Sequence, residues 1–188
     1  MPLDHFKWLA PLYDRVISGS ATQESILTYA KLPTSGYLLD VGGGTGRVAF
    51  NLREQAKKVI IADLSLRMLF QASLKGGLQP TCSRSEWLPF PNGFFDRIIM
   101  VDTLHHVNDQ KQTARELWRV LKRDGRIVIH EPDIRNIRVK IIALGEKLLL
   151  MNSHFISPPR IVDLFSFTST RVKTYEDSYH SWIVIQKT

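Results

Sequence analysis

Short apolar runs alternate with amphipathic stretches along most of the chain. Residues 37–41 (YLLDV) form an apolar run that ends at a glycine cluster, which predicts a buried strand. Residues 45–55 follow as a helix, with Val48, Ala49 and Leu52 on one side. The pattern repeats with a strand over 58–62 (KVIIA), a helix over 65–74, a strand near 79–83 and a strand over 95–101 (FDRIIMV). Residues 109–122 place Ala114, Leu117, Trp118 and Leu121 at the i, i+3, i+4, i+7 spacing of a helix face. Asp124-Gly125 is a stop signal, and 126–130 (RIVIH) is the next strand. A long apolar helix is expected over 135–150, and Ser157-Pro158 opens a shorter one, since Pro suits the first helical position. Residues 170–175 and 180–186 are two strands with no helix between them, hence an antiparallel hairpin at a sheet edge. Before all of these, 2–18 and 22–31 read as helices separated by Gly19.

Alternating strands and helices imply a parallel sheet with helices on both faces. The expectation is an α/β fold: a single Rossmann-like domain over 1–188, with a seven-stranded, mostly parallel sheet and a C-terminal antiparallel hairpin. Residues 1–31 make an N-terminal helical cap and 134–168 a helical insertion before the hairpin. The 188 residues and the 44% hydrophobic content suit one soluble domain with its own core. Cys82 is the only cysteine, which excludes an internal disulfide framework and a cysteine zinc site. No apolar run approaches a membrane span, and Asp4 and Lys7 interrupt the N-terminal apolar pattern, against a secretory signal. A cytoplasmic location is expected. The net charge of +7 is a weak pointer to nucleic acid or an anionic membrane.

Open α/β sheets bind ligands at the carboxyl ends of their strands. The first strand ends in Asp40-Val41-Gly42-Gly43-Gly44-Thr45-Gly46. Glycines let the chain turn sharply and let a ligand approach the backbone. The helix behind them presents free N–H groups. A nicotinamide fingerprint needs a third glycine where Arg47 stands, so the spacing here is G-x-G-x-G, with Asp40 two places ahead of Gly42. That acidic residue suits an ammonium group. Asp63 ends the second strand, 21 residues beyond Gly42, where a carboxylate can accept both hydroxyls of a ribose. Asp63 is equally placed to cap the next helix, although Ser65 can serve as the cap instead.

LDVGGGTGRVAF, ADLSLRML, SEWLPFPNGFFDRIIMVDTLHHVND and LKRDGRIVIHEP, in that order, resemble a class I S-adenosylmethionine-dependent methyltransferase. Within that superfamily the chain is most similar to the ubiquinone/menaquinone C-methyltransferase-like small-molecule group, which FKWLAPLYDRV also resembles. The resemblance implies S-adenosylmethionine as cofactor and S-adenosylhomocysteine as product. It places Asp40 near the methionine amino group and lines the methionine moiety with Gly42, Gly44 and Gly46. Asp63 should hold the ribose hydroxyls, Leu64 and Met68 should flank the adenine, and Met100 and Val101 should supply backbone contacts. The family's usual adenine-binding Asp is replaced by Arg84, which cannot accept a hydrogen bond. Ser85 or backbone carbonyls are left to substitute. The family's usual glycine is also missing near Phe167-Thr168-Ser169.

Catalytic candidates are His106, His130 and Tyr13. A neutral imidazole can take a substrate proton near neutrality, while His105-His106 can equally serve to shape the turn after the fourth strand. Tyr13 either caps the site or packs in the core. His105, His106, His130 and Asp133 do not match a known metal-ligand spacing, and no metal is expected. Lys111, Arg115, Arg119 and Lys122 form a basic stripe of the kind that usually faces solvent. Residues 134–151 carry Ile137, Ile141, Leu144, Leu148 and Met151 on one face, with further apolar residues elsewhere, more than one core contact needs. The surplus fits a pocket wall, a homo-oligomer surface or a membrane contact.

The function expected is in-line methyl transfer from S-adenosylmethionine to a small, partly apolar acceptor. Alternatives are an RNA methyltransferase and a non-catalytic S-adenosylmethionine-binding partner subunit. DNA is not expected as a partner, because no N-P-P-Y or D-P-P-Y motif is present. RNA or a membrane surface is less favoured than a small molecule.

Overall fold

The computed structural model describes residues 23–148 and 153–188. The expected helix over 2–18, the segment 149–151 and Tyr13 lie outside the described residues. Seven strands form one sheet in the order β3-β2-β1-β4-β5-β7-β6. They are β1 (Tyr37–Val41), β2 (Lys58–Asp63), β3 (Leu78–Cys82), β4 (Phe95–Val101), β5 (Leu121–Pro132), β6 (Thr170–Asp177) and β7 (His180–Lys187). β1 to β5 pair in parallel, and β7 runs antiparallel to both β5 and β6. The order reverses beside β1, so β1 and β4 end at the crevice where open α/β sheets bind ligands.

The helices are α1 (Gln23–Ala30), α2 (Arg47–Asn51), α3 (Leu66–Ser73), α4 (Gln110–Val120), α5 (Ile137–Leu148) and α6 (Pro158–Leu164). Side chains alternate along each strand, which divides the apolar residues between two cores. Ile26 and Ala30 of α1, Ala49 of α2, and Leu69 and Ala72 of α3 pack with Leu38, Ile61, Ile99, Val128 and Trp182 on one face. Ala114, Leu117 and Val120 of α4 and Ile161 of α6 pack with Leu39, Ile98, Ile129 and Ile183 on the other. The doubly wound arrangement matches the fold expected from the strand–helix alternation.

Two boundaries differ from the sequence pattern for one reason. The helix over 109–122 ends at Val120, and β5 begins at Leu121 rather than 126. Leu121 pairs with Phe95, while Gly93 and Phe94 N–H groups donate to the Arg119 and Val120 carbonyls at 2.9 and 2.8 Å. The sheet therefore captures the chain before Asp124-Gly125. That dipeptide sits in the strand, at a register shift between the Phe95 and Arg97 pairs, with Asp124 left-handed at φ 61°. At the missing glycine, Ser169 itself takes the left-handed conformation (φ 62°). The turn closes with Thr170 Oγ1 donating to the Phe167 carbonyl at 2.7 Å.

The edge strands are β3, with the exposed Pro80 in its middle, and β6, where Arg171, Lys173, Glu176 and Asp177 are exposed. α6 begins at Pro158 behind an extended Ser157, as the dipeptide predicts.

Candidate active site

β1 and β2 end side by side, and each delivers a carboxylate to the crevice. Asp40 shares a sheet face with Leu38 and is only 2% exposed. Its Oδ2 has no hydrogen-bond partner among the described residues. Burial, and then the charge of Asp63, push the Asp40 carboxyl up to about 7, against the opposing pull of Arg47. A buried carboxylate with an unsatisfied oxygen is costly. A cation delivered by a ligand relieves that cost.

The glycine loop lies directly over this oxygen. A Cβ on Gly43 would stand 2.6 Å from Asp40 Oδ2. Gly42, Gly44 and Gly46 all take positive φ, at 69°, 54° and 74°. A Cβ on Gly42 would overlap the Thr103 side chain, and one on Gly46 would meet Leu78 and Ile61 within 3 Å. Gly44 differs, since its Cβ position meets only Asp63 Oδ2, at 4.0 Å. Three of the glycines thus pack against the protein, and Gly44 faces the open space where a ligand can reach the backbone.

Asp63 holds two backbone N–H groups and faces the crevice. Its Oδ2 accepts from Gly44 N–H at 2.9 Å and its Oδ1 from Ser65 N–H at 2.8 Å. Ser65 holds the N-cap position of α3, although its side chain makes no capping hydrogen bond. The carboxylate instead ties the end of β2 to the glycine loop. A carboxylate placed at this strand end can accept from a diol, since each of its oxygens has two lone pairs.

Around this pair the remaining residues sort by exposure. Leu64 is 62% and Trp87 68% exposed, both open to a planar ligand, whereas Met68 is 4% exposed and belongs largely to the α3 core. Arg84 stays at the surface, with its guanidinium 3.5 Å from Glu86. Ser85 Oγ is engaged with Thr113 Oγ1 at 3.2 Å and Glu86 Oε2 at 3.4 Å. Ser83 Oγ is buried without a hydrogen-bond partner among the described residues, which makes it a further acceptor near the end of β3. Nothing in the local sequence pattern prefers it over Ser85. Met100 is fully buried, and Val101 is half-buried on the face shared with Asp40.

Arg119 is not part of a solvated stripe. It donates to the Leu88 and Phe90 carbonyls at 2.9 and 2.8 Å and pairs with Glu116 at 2.7 Å. Glu116 Oε2 in turn accepts from Leu88 N–H at 2.9 Å. Together they fasten the 86–92 loop to α4. Lys122 lies on β5 and pairs with Asp96 at 2.8 Å.

The histidines after β4 and in β5 have separate surroundings. Glu131 accepts from Thr103 N–H at 2.7 Å and Leu104 N–H at 2.6 Å, and its other oxygen lies 2.6 Å from His105 Nδ1. It pins the short 3-10 turn Leu104–His106. Thr103 Oγ1 donates to the Val101 carbonyl at 2.9 Å and the Gly42 carbonyl at 3.3 Å, joining that turn to the glycine loop. His106 Nδ1 lies 3.2 Å from Ser153 Oγ. Burial, and then His105, push the His106 imidazole down to about 3, so it stays neutral across physiological pH.

His130 is wholly buried and lies in register with Val101 and Trp182 across the sheet. Neither ring nitrogen makes a hydrogen bond among the described residues. Asp102 Oδ1 stands 3.5 Å from His130 Nδ1 and 3.8 Å from His180 Nε2. Neither Asp102 nor His180 stands out in the sequence. The signal available for His180 was register, since the antiparallel hairpin sets residue 180 against Pro132, two places from His130. Among the described residues no group of three or more His, Cys, Asp or Glu side chains is arranged to hold a metal ion.

Residues 39–129 match the family model for a methyltransferase domain. This segment is similar to the class I S-adenosylmethionine-dependent methyltransferases. The cofactor of that family is S-adenosylmethionine, and the orphaned Asp40 oxygen, the open side of Gly44 and the placement of Asp63 fit it. The chain is 33% identical over 115 residues to the ubiquinone/menaquinone biosynthesis C-methyltransferase UbiE of Coxiella burnetii, covering 56% of this chain and 46% of that protein. The chain thus spans about half the length of the curated relatives it matches. An S-adenosylmethionine-dependent methyltransferase of Thermotoga maritima superposes with a TM-score of 0.79 at 24% identity, over 97% of this chain and 98% of that one. The [4+2]-cyclase SpnF superposes with a TM-score of 0.78 at 14% identity, over 97% and 94%. One fold therefore serves methyltransferases and a cyclase, and at these identities the superpositions speak for the fold alone. Among the described residues no helix is long and apolar enough to cross a membrane.

Proposed function

We propose that the chain transfers the methyl group of S-adenosylmethionine to a small, partly apolar acceptor. The observation that carries this reading is the buried Asp40 oxygen, without a hydrogen-bond partner among the described residues, beneath a left-handed glycine loop. A nicotinamide dinucleotide has no ammonium group to satisfy it, whereas the methionine moiety has one. In this reading Asp40 takes the ammonium, Gly42, Gly44 and Gly46 border the methionine chain, and Asp63 accepts the ribose hydroxyls. Leu64 and Trp87 wall the adenine, with Ser83, Ser85 or backbone carbonyls receiving its amino group. The bound cofactor supplies an already activated methyl group. The protein's share is to orient the acceptor in line and keep water out.

The acceptor side is assigned to the ends of β4 and β5 and to α5, which follows β5 directly. Ile137, Ile141 and Leu144 of α5 are 60–67% exposed, an apolar face without cover among the described residues. Lining an acceptor pocket accounts for that exposure. The quinone-pathway relative is consistent with an acceptor of apolar bulk. Isothermal calorimetry with S-adenosylmethionine, S-adenosylhomocysteine and NAD tests the cofactor half. Binding of both sulfur nucleosides and not NAD is expected. Binding of NAD alone refutes it.

A further inference from the structure

The alternation of the sheet sets a row of groups on one face at the carboxyl edge. Asp40 of β1, Val101 of β4, His130 of β5 and Trp182 of β7 share that face, and His180 stands two residues from Trp182 on the same side. β7 is two strands from β4, and Asp102, the residue after Val101, closes the gap with its Oδ1 3.8 Å from His180 Nε2. The row thus runs from the cofactor end of the crevice to a cluster of aromatic rings. His130 stacks on His180 at 4.7 Å with planes 15° apart, Trp182 lies 4.2 Å from His130, and Tyr179 lies 4.6 Å from His180.

Asp102 faces this cluster. It is held left-handed at φ 49°, a conformation uncommon outside glycine but tolerated by Asp and Asn. Its N–H donates to the His130 carbonyl at 2.9 Å, which turns the residue out of β4 toward β5 and β7. The side chains of Asp102 and His180 keep 29% and 11% of their surface open, whereas that of His130 keeps none. His180 is therefore the imidazole of the pair that a bound acceptor can touch. His130 packs behind it.

We propose that His180 is the proton acceptor of the methyl transfer, with Asp102 as its counter-charge and His130 as the ring it stacks on. The proposal rests on the methyltransferase reading above. The acceptor it requires bears a hydrogen on its nucleophilic hydroxyl. An oxygen electron pair of the acceptor forms the new bond to the methyl carbon, and the electrons of the broken carbon–sulfur bond remain on the sulfur as a neutral thioether. The hydroxyl proton passes to His180. Asp102 stabilises the imidazolium that forms, as a carboxylate does beside a general-base histidine. Burial, and then His130, hold the His180 imidazole below its usual range against the pull of Asp102, Asp177 and Glu131, so the ring is neutral and ready to accept. His130, and after it His180 and His105, hold the Asp102 carboxyl below its usual range against the opposing effect of burial.

The test uses the full chain with labelled S-adenosylmethionine and para-nitrophenol as a hydroxyl probe, with S-adenosylhomocysteine affinity read by calorimetry. The wild type should methylate the phenol. Methyl transfer should fall about 10²–10⁴-fold in His180→Gln, with S-adenosylhomocysteine affinity unchanged. In Asp102→Asn, which tolerates the left-handed backbone, the acidic limb of the rate profile should move to lower pH, because losing the carboxylate destabilises the imidazolium. A purely structural His180 or Asp102 leaves the rate and the limb in place, and that outcome overturns the proposal. So does a wild-type chain that binds S-adenosylhomocysteine but does not methylate the phenol. Failure to bind S-adenosylhomocysteine overturns the methyltransferase reading instead.

Discussion

Replacing Asp40 by Asn separates what this residue does for the fold from what it does for the ligand. In the free protein the carboxyl is buried, its Oδ2 has no hydrogen-bond partner among the described residues, and it is pushed from the usual 3.8 up to about 7. An acid whose folded pKa is raised binds its proton more tightly in the folded than in the unfolded state. Stability therefore falls as pH rises from 3.8 toward 7, and the cost is fully present above 7. A shift of about 3 units at 1.36 kcal/mol each sets the penalty on the order of 4 kcal/mol. Water entry and relaxation reduce it, and half that amount still moves Tm by roughly 4–8 °C for a chain of this size. Asp40→Asn removes the ionisation while preserving shape. The variant should match the wild type in thermal unfolding at pH 4 and exceed it by several degrees at pH 8. Calorimetry should show the reverse for the ligand. S-adenosylhomocysteine should bind the wild type more tightly as pH rises through about 7, because its ammonium needs the ionised carboxylate, and should bind Asp40→Asn weakly at every pH. Equal unfolding temperatures at pH 8, together with a flat affinity profile in the wild type, would falsify the assignment of Asp40 to the ammonium.

Asp63→Ala should weaken S-adenosylhomocysteine by about 1.5–3 kcal/mol, the worth of hydrogen bonds to a charged group. Because Asp63 also accepts from Gly44 and Ser65, the free protein should lose about 1–2 kcal/mol as well, read by urea unfolding. Arg84→Asp should tighten the cofactor in calorimetry by restoring an acceptor for the adenine amino group, and unchanged affinity would mean that Ser83, Ser85 or a carbonyl already fills that role. Leu144→Asp lies on the exposed face of α5, so it should leave folding and S-adenosylhomocysteine affinity intact while lowering acceptor turnover. A change of oligomeric state with turnover per chain preserved would assign that face to self-association.

Much of this fold is legible from period and punctuation. Buried parallel strands read as unbroken apolar runs such as KVIIA, and the glycine cluster after YLLDV marks the end of β1. Asp40, the glycines and Asp63 are legible because their chemistry is carried by short local spacing on one strand–turn–helix unit. What escaped is what only pairing creates. β5 begins early because Gly93 and Phe94 reach the Arg119 and Val120 carbonyls, contacts that no local propensity encodes. Arg119 reads as one charge among four on a helix, and only the folded 86–92 loop reveals the carbonyls it holds. His180 meets Asp102 across 78 positions of sequence, through a hairpin whose register decides the encounter. Ser65 reads as the helix cap and holds that position, yet its side chain makes no capping hydrogen bond and its own N–H is held by Asp63.

The two outermost strands have a consequence for how this protein behaves in a crowded solution. A bare strand edge is a template on which another chain can add its own strand. Pro80 removes a donor from the middle of β3, and Arg171, Lys173, Glu176 and Asp177 stud β6 with charge that an incoming strand would have to desolvate. A parallel sheet with long sequence separations between partners assembles slowly and leaves its edges uncovered meanwhile. Blunted margins keep that interval from ending in polymer. Pro80→Val or Lys173→Val would sharpen one margin each, and their signature would be light scattering during refolding rather than any loss at the methyl-transfer site.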